Sequence, residues 1–306
     1  MKDNQELIEQ VQKSGLLTSD GGLMPPEAAN GFIDLTVNQS EILRKITVEK
    51  NIGSERFLDT IGVGNRMIMK AGEPAVVSAG DIRKPNITRR SLVPVDCLLP
   101  YDISFKWLDE NIEKQAAEET INNAFATQFA NDLVDLMFNG DKAAATGPDQ
   151  KFLQITDGIK TKLIADTHTH FVDRSASTDW KDVVFPALFK ALPSKYKNNI
   201  AGLLFITSYD LADEYVSSLA DRSTALGDLY LTEGRRAYYK GVPVMPVPSL
   251  PYGMAILANP KNLAVGFGSY IKVYRQLKPR ELNIEYTITA RIDFNYADSN
   301  GIAYTV

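Results

Sequence analysis

The sequence predicts an α+β subunit that carries a projecting arm, and three stretches predict it. Between residues 60 and 90 the chain carries Gly62, Gly64, Gly72, Gly80, Pro74 and Pro85. Only short β-prone pieces lie between them, residues 63–69 and 75–77, and a long excursion without a core pattern must rest on something else. Residues 109–139 carry one long helical pattern. Helix and strand patterns then alternate from about residue 180, and a strongly alternating strand closes the chain.

The elements follow in order. Residues 5–13 predict a short helix, and Ser19-Asp20-Gly21-Gly22 with Pro25-Pro26 breaks the chain, so an extended N-terminal arm runs to about Pro26. Ala28, Phe32, Leu35 and Ile42 recur at helical spacing over 27–43, with an interruption at 38–40. A strand at 46–51 leads into the arm, and a strand at 92–105 returns from it. The long helix starts at Asp109 as N-cap, with Glu110 and Glu113 at the positive end of its dipole. Phe125, Phe129, Leu133 and Met137 form its i, i+4 stripe, and Asn139-Gly140 ends it. About 30 residues at 1.5 Å each make a rod roughly 45 Å long, suited to a flat, elongated subunit.

Residues 143–150 read as a loop of small residues. Residues 180–192 predict a helix with Val184, Leu188 and Leu192 inward, and 203–207 a short buried strand. Residues 208–219 predict a helix capped by Ser208, with Leu211 and Tyr215 inward. Pro243, Pro246, Pro248 and Pro251 make 241–252 a proline-interrupted edge strand or loop. Strands follow at 254–258, 271–274 and 284–294. In the last, Glu285, Thr287, Thr289 and Arg291 alternate with Ile284, Tyr286, Ile288, Ala290 and Ile292.

Composition narrows the classes. The 306 residues allow one large domain or two ordinary ones, and 44% hydrophobic with 23% charged residues is ordinary for a soluble globular protein. A net charge of -5 argues against nucleic-acid binding by charge alone. The lone Cys97 excludes an internal disulfide framework, fits a reducing compartment, and lies in an apolar run as a buried small hydrophobe. No stretch is long and apolar enough to span a membrane, and residues 1–12 lack a signal-peptide apolar region. The expected place of synthesis is the cytoplasm.

Catalytic patterns are sparse. Asp166, His168 and His170 alternate, so a strand would place them on one face as metal ligands for a hydrolase. A polar loop or hairpin between Ile164 and Phe171 explains them as well, and no second ligand cluster accompanies them. No serine sits in a nucleophile elbow, Gly62-Val63-Gly64 lacks the third glycine of a dinucleotide loop, and no phosphate-binding loop occurs. Asp132 and Asp135 read as an ordinary pair on a solvated helix face. No catalytic, cofactor-binding or metal-ligating residue is expected.

Charge says more. Residues 61–92 hold the bases Arg66, Lys70, Arg83, Lys84, Arg89 and Arg90 against Glu73 and Asp81, a net of about +4. Residues 108–139 hold Asp109, Glu110, Glu113, Glu118, Glu119, Asp132 and Asp135 against Lys114, a net of about -6. A cationic arm and an anionic rod in one chain suit copies that clasp each other, with Arg66, Lys70, Arg83, Lys84, Arg89 and Arg90 meeting Asp109, Glu110, Glu113, Glu118 and Glu119.

Several motifs, in order, resemble one family. Asp20-Gly21-Gly22-Leu23-Met24-Pro25 looks like its Gly-Gly-aliphatic-aliphatic-Pro opening, and Ser91-Leu92-Val93-Pro94-Val95 like the return from its arm. Residues 108–140 look like its spine helix, and Lys240-Gly241-Val242-Pro243-Val244 like a Gly-x-Pro-Val strand. Gly266-Phe267-Gly268-Ser269-Tyr270, Arg291-Ile292-Asp293 and Ala303-Tyr304 look like its closing strands. The chain after Ser19 thus resembles the major capsid proteins of tailed bacteriophages, with the Hong Kong 97-type fold.

The resemblance implies an N-terminal arm at 1–26, the start of a peripheral domain at 27–59 and an extended hairpin, the E-loop, at 60–91. It implies the rest of the peripheral domain at 92–180 with the spine helix at 109–139, an axial α/β domain at 181–266, and closing peripheral strands at 267–306. It implies a non-enzymatic shell protein that forms pentamers and hexamers of an icosahedral head around double-stranded DNA, in the virion, assembled in the host cytoplasm. Implied partners are further copies, a separate scaffolding protein, the portal, decoration proteins and non-specifically held DNA, without a membrane or cofactor. An encapsulin-like compartment shell is the alternative use of the same fold. Some relatives crosslink an arm lysine to a neighbour's asparagine; Lys70 and Lys84 lie in that region, but no motif identifies a partner, so no crosslink is expected.

Overall fold

The computed structural model describes residues 22–23, 26–62, 82, 85–106, 116–173, 183–220, 237–269 and 271–306. The expected N-terminal helix, the distal arm at 63–81 and 83–84, and the expected helix start at Asp109 lie outside the described residues.

Two helices open the described chain, α1 (Pro26–Gln39) and α2 (Glu41–Lys45). They break at Ser40, whose φ of -114° and ψ of 131° are extended, as the sequence suggests. Phe32, Leu35 and Ile42 are buried, and Phe32 stacks on Phe129 at 5.7 Å. The long helix is described as α3 (Ala116–Asn139), 24 residues, or about 36 Å of rod. Phe129, Leu133 and Met137 of its stripe are buried, and Phe125 stacks on Tyr101 with centroids 3.9 Å apart. Gly140, just past the helix end, is glycine for want of space rather than for a left-handed turn. A β-carbon there would overlap the Thr156 carbonyl oxygen and sit 2.7 Å from that of Leu136. Gly158, whose N–H donates to the Gly140 carbonyl at 2.8 Å, faces it just as closely. Short helices α4 (Gln150–Leu153) and α5 (Ile159–Ala165) follow.

One six-stranded sheet is organised by a 14-residue strand near the C-terminus. Its members are β1 (Gly22–Leu23), β2 (Thr47–Ile52), β5 (Val95–Ser104), β11 (Leu263–Gly268), β12 (Lys272–Lys278) and β13 (Asn283–Tyr296). Strand β13 pairs antiparallel with β5 from Val95↔Ile292 to Ser104↔Asn283, and also with β11 and β12. Ile284, Tyr286, Ile288, Ala290 and Ile292 are all buried, as their alternation predicts. This face closes on α1, α2, α3 and α5 in one large core.

The second six-stranded sheet runs β6-β14-β10-β7-β9-β8. These are β6 (His170–Phe171), β7 (Leu204–Ser208), β8 (Tyr238–Tyr239), β9 (Val242–Val247), β10 (Ala255–Ala258) and β14 (Ile302–Thr305). Leu204, Ile206, Ile256 and Tyr304 face the large core. Phe205, Leu257 and Ala303 face a second core under α6 (Phe185–Ala191) and α8 (Tyr209–Ala220), which turn Leu188 and, four residues apart, Leu211 and Tyr215 inward. Both faces of its central strands are covered, so β7 and β10 are buried at every position rather than alternating. A one-turn helix, α7 (Ser194–Lys197), links α6 to this sheet.

A third, two-stranded sheet stands apart, β3 (Arg56–Gly62) antiparallel to β4 (Asn86–Leu92).

Four local expectations change. The returning strand at 92–105 is two strands, because the chain leaves β3 at Leu92 and joins β13 only from Val95. Pro94 has no N–H to continue a ladder through that switch. The proline-rich 241–252 segment contains a true strand, β9, next to last in its sheet. Its Val244 N–H points away from β7 to the Ala237 carbonyl at 2.9 Å, so Pro246, two residues on, turns its missing N–H away from β7 as well. Ser208 does not cap α8, since its hydroxyl is buried without a hydrogen-bond partner. Asp132 is half-buried rather than on a solvated face.

Candidate intersubunit surface

The β3–β4 hairpin has two unlike faces. Pairing of Phe57 with Ser91, Asp59 with Arg89 and Ile61 with Ile87 puts these six residues on one face. Leu58, Thr60, Thr88 and Arg90 lie on the other. The first face is uncovered, with Phe57 48%, Ile61 70% and Ile87 58% exposed. Arg89 donates to Asp59 through Nε at 2.8 Å and Nη2 at 3.2 Å, and its guanidinium lies 4.7 Å above the Phe57 ring. The Arg89 hydrogen bond, opposed by slight desolvation, holds the Asp59 carboxyl below its usual range. This ion pair is exposed and contributes little to stability.

The other face and the root of the hairpin are held by the body. Leu92 is fully buried and packs with Ile52, Ala264 and the partly buried Leu58. Arg90 pairs with Asp166, donates to Ser299 Oγ at 2.8 Å, and lies 4.3 Å above the Tyr296 ring. Asp166 also accepts the Tyr296 hydroxyl at 2.9 Å and the His168 N–H at 2.9 Å. Burial would push the Asp166 carboxyl up, but these donors and the nearby Arg90 charge outweigh it and hold the carboxyl down at about 2.

Polar side chains on the outward row of β13 grip the same root. Asn295 donates to the Ser91 carbonyl at 2.7 Å, and Asp293 accepts the Val93 N–H at 2.8 Å. Asp293 is buried and also accepts Thr156 at 3.0 Å and Lys162 at 3.2 Å. Arg291 donates to the carbonyls of Gly53 and Pro94, both at 3.0 Å. These three residues escape the sequence reading, which takes the polar row of β13 as solvent-facing. The signal that marks them is the continuation of that polar row into a stretch, residues 292–296, that is buried on both faces.

The predicted contact residues separate accordingly. Arg66, Lys70, Arg83, Lys84, Asp109, Glu110 and Glu113 lie outside the described residues. Glu118 and Glu119 lie on α3, with their backbones described. Arg89 and Arg90 are both engaged by carboxylates of their own chain, Asp59 and Asp166. An arginine beside an aspartate in the facing strand finds it before any other copy arrives.

Asp166, His168 and His170 do not share a strand face. Asp166 and His168 sit in the turn after α5, and only His170 enters β6. Asp166 is consumed by Arg90 and Tyr296, with the His168 ring at 3.2 Å. No group of three His, Cys, Asp or Glu side chains that could hold a metal occurs among the described residues. Cys97 is buried, and burial, partly offset by its 3.1 Å bond to the Ala290 carbonyl, pushes its thiol up to about 11. Asp132 lines a groove of about 600 Å³ with Asp135, Asn139, Asp149 and Lys160. Burial pushes its carboxyl up, the Gln128 amide at 2.7 Å pulls it down, and the charge of Asp135 pushes it up again. No helix among the described residues is long and apolar enough to cross a membrane.

No family model matches the chain. It is 27% identical over 315 residues to the prophage capsid protein YqbE of Bacillus subtilis (strain 168), covering 99% of this chain and 98% of that protein. Its fold is similar to a chain of the satellite phage P4 procapsid that includes the size determination (Sid) protein. There the TM-score is 0.67 at 16% identity, with 90% of this chain and 98% of that one covered. It is similar also to the capsid of an empty GTA particle, with a TM-score of 0.58 at 16% identity over 87% and 89% of the two chains. The chain therefore has the Hong Kong 97-type fold, the fold of the capsid chains it resembles.

Proposed function

We propose that this chain is a major head protein whose copies form pentamers and hexamers of an icosahedral shell that packages double-stranded DNA. The observation that carries the reading is the β3–β4 hairpin. It leaves the core of a capsid fold with an uncovered apolar face of Phe57, Ile61 and Ile87. In this reading that face lies on a neighbouring copy, and burying such side chains supplies the main attraction. The distal bases Arg66, Lys70, Arg83 and Lys84 approach the acids Asp109, Glu110, Glu113, Glu118 and Glu119 of that copy and set orientation and encounter rate. The division into arm, peripheral and axial parts, with the boundaries expected from sequence, belongs to the same proposal. So do a separate scaffolding protein, a portal, decoration proteins, assembly in the host cytoplasm and a role without catalysis.

Electron microscopy of the protein expressed with and without a scaffold partner tests this, with closed shells or capsomers as the expected product. An encapsulin-like compartment would give shells that enclose an enzyme and no DNA, and would sit beside a cargo gene rather than portal and terminase genes.

A further inference from the structure

We propose that Arg291 is a positioning residue that sets the angle at which the hairpin leaves the body. Its guanidinium bridges the two legs of the hairpin where they part from the sheet. One terminal nitrogen donates to the carbonyl of Gly53, on the outgoing leg, and the other to the carbonyl of Pro94, on the returning leg, each at 3.0 Å. These carbonyls belong to connections, residues 53–55 and 93–94, that carry no ladder of their own. Asn51, near the end of β2, has φ of 59°, and Gly53 has nothing within 4 Å of where a side chain would stand. Leu92, Arg90, Ser91 and Val93 hold the returning leg to the body by other contacts, and Arg291 is the side chain that joins the two connections to each other.

The fold also makes room for the arginine stem. A β-carbon on Gly268 would stand 2.5 Å from the Arg291 β-carbon and 3.2 Å from its next two carbons. The pairing of β11 with β2 shifts register between Gly266 and Gly268, and the Ser269 N–H returns to the Ile52 carbonyl at 2.9 Å. Glycine at 268 thus lets the stem lie flat across β11 toward both legs. Arg291 Nε lies 3.2 Å from Asp96 but without hydrogen-bond alignment, and Asp96 is 81% exposed. The grip therefore rests on the two carbonyls, for which a planar two-pronged donor is needed, and a lysine ammonium cannot reproduce that fork. The grip itself holds whatever the particle is. Its consequence, that hairpin angle governs how copies meet, rests on the shell reading.

Spin labels on Thr88→Cys in β4 and Asp213→Cys in α8 measure the angle in unassembled protein, since buried Cys97 resists labelling. The native chain should give one narrow distance distribution, and Asp96→Asn should leave it unchanged. Arg291→Gln should broaden or displace it, with Arg291→Lys in between, while amide protection in β7 and β10 stays native. A native-width distribution in Arg291→Gln overturns the proposal. If that variant does not fold, Arg291→Lys decides by the same reading. A normal distribution shift with no shells from the native chain would sink the shell reading and leave the grip standing.

Discussion

Asp166 carries charge at the foot of the hairpin, and pH reads its role. Its folded carboxyl is held at about 2, against an ordinary value of 3.8, so between those values the unfolded chain binds more protons. The stabilisation is complete above about pH 4 and is lost as pH falls toward 2. Asp166→Asn should cost about 1–3 kcal/mol at neutral pH, because Arg90 loses a charged partner. Urea midpoints of the two proteins should converge across that acid window; a gap that stays constant with pH would argue against the assignment. Gly140 makes a second residue-scale test. Gly140→Ala forces a methyl against the Thr156 carbonyl and should cost about 1–3 kcal/mol in thermal unfolding, as overpacked sites do.

Arg90 and Arg89 teach what sequence hides at this scale. Both read as members of a basic run, and the run is real. Which carboxylate each one meets depends on pairings across 30 and 76 residues, Asp59 and Asp166, that composition does not reveal.

At the scale of elements, strands and helices with strong periodicity were legible. The alternation of residues 284–292, the stripe of Phe129, Leu133 and Met137, and the break near Ser40 all appear where their patterns place them. What periodicity could not supply was the partner of each strand. One returning strand became two because β4 and β5 serve different sheets, and a proline-rich segment became an ordered strand in which Pro246 turns its missing N–H away from β7. The outward polar row of β13 looked solvated because nothing local announces that Arg291, Asp293 and Asn295 meet backbone from residues 53 and 91–94. The hairpin itself was legible as an excursion without a core. Its chemistry was not, because Phe57 and Ile61 are separated on their face by Asp59, and Ile87 joins them from a strand far away in sequence.

That geometry separates two roles of the hairpin. Changing Phe57, Ile61 and Ile87 together to Ser should leave subunit stability within about 0.5 kcal/mol per site, as for exposed positions, and abolish assembly seen by sedimentation. Reversing Arg66, Lys70, Arg83 and Lys84 to Glu should slow or block assembly with the subunit still folded. Arg90→Glu should instead lower the unfolding midpoint of the isolated subunit, since it places a second acid beside Asp166. Normal shells from the serine variant would contradict the apolar contact.

For the whole molecule, two cores share one sheet, and a hairpin leaves them with one face bare and the other held to the body at Leu58 and Arg90. In the proposed shell, that bare face is where the next copy lies. The same fold organises the capsid chains it resembles, and likeness to YqbE runs the full length of the chain. Electron cryomicroscopy of particles formed with the scaffold partner tests the central claim most directly. The account predicts closed icosahedral shells in which Phe57, Ile61 and Ile87 of each copy are buried against the next. Protein that stays monomeric with and without scaffold, or shells in which that face looks into solvent, would contradict it.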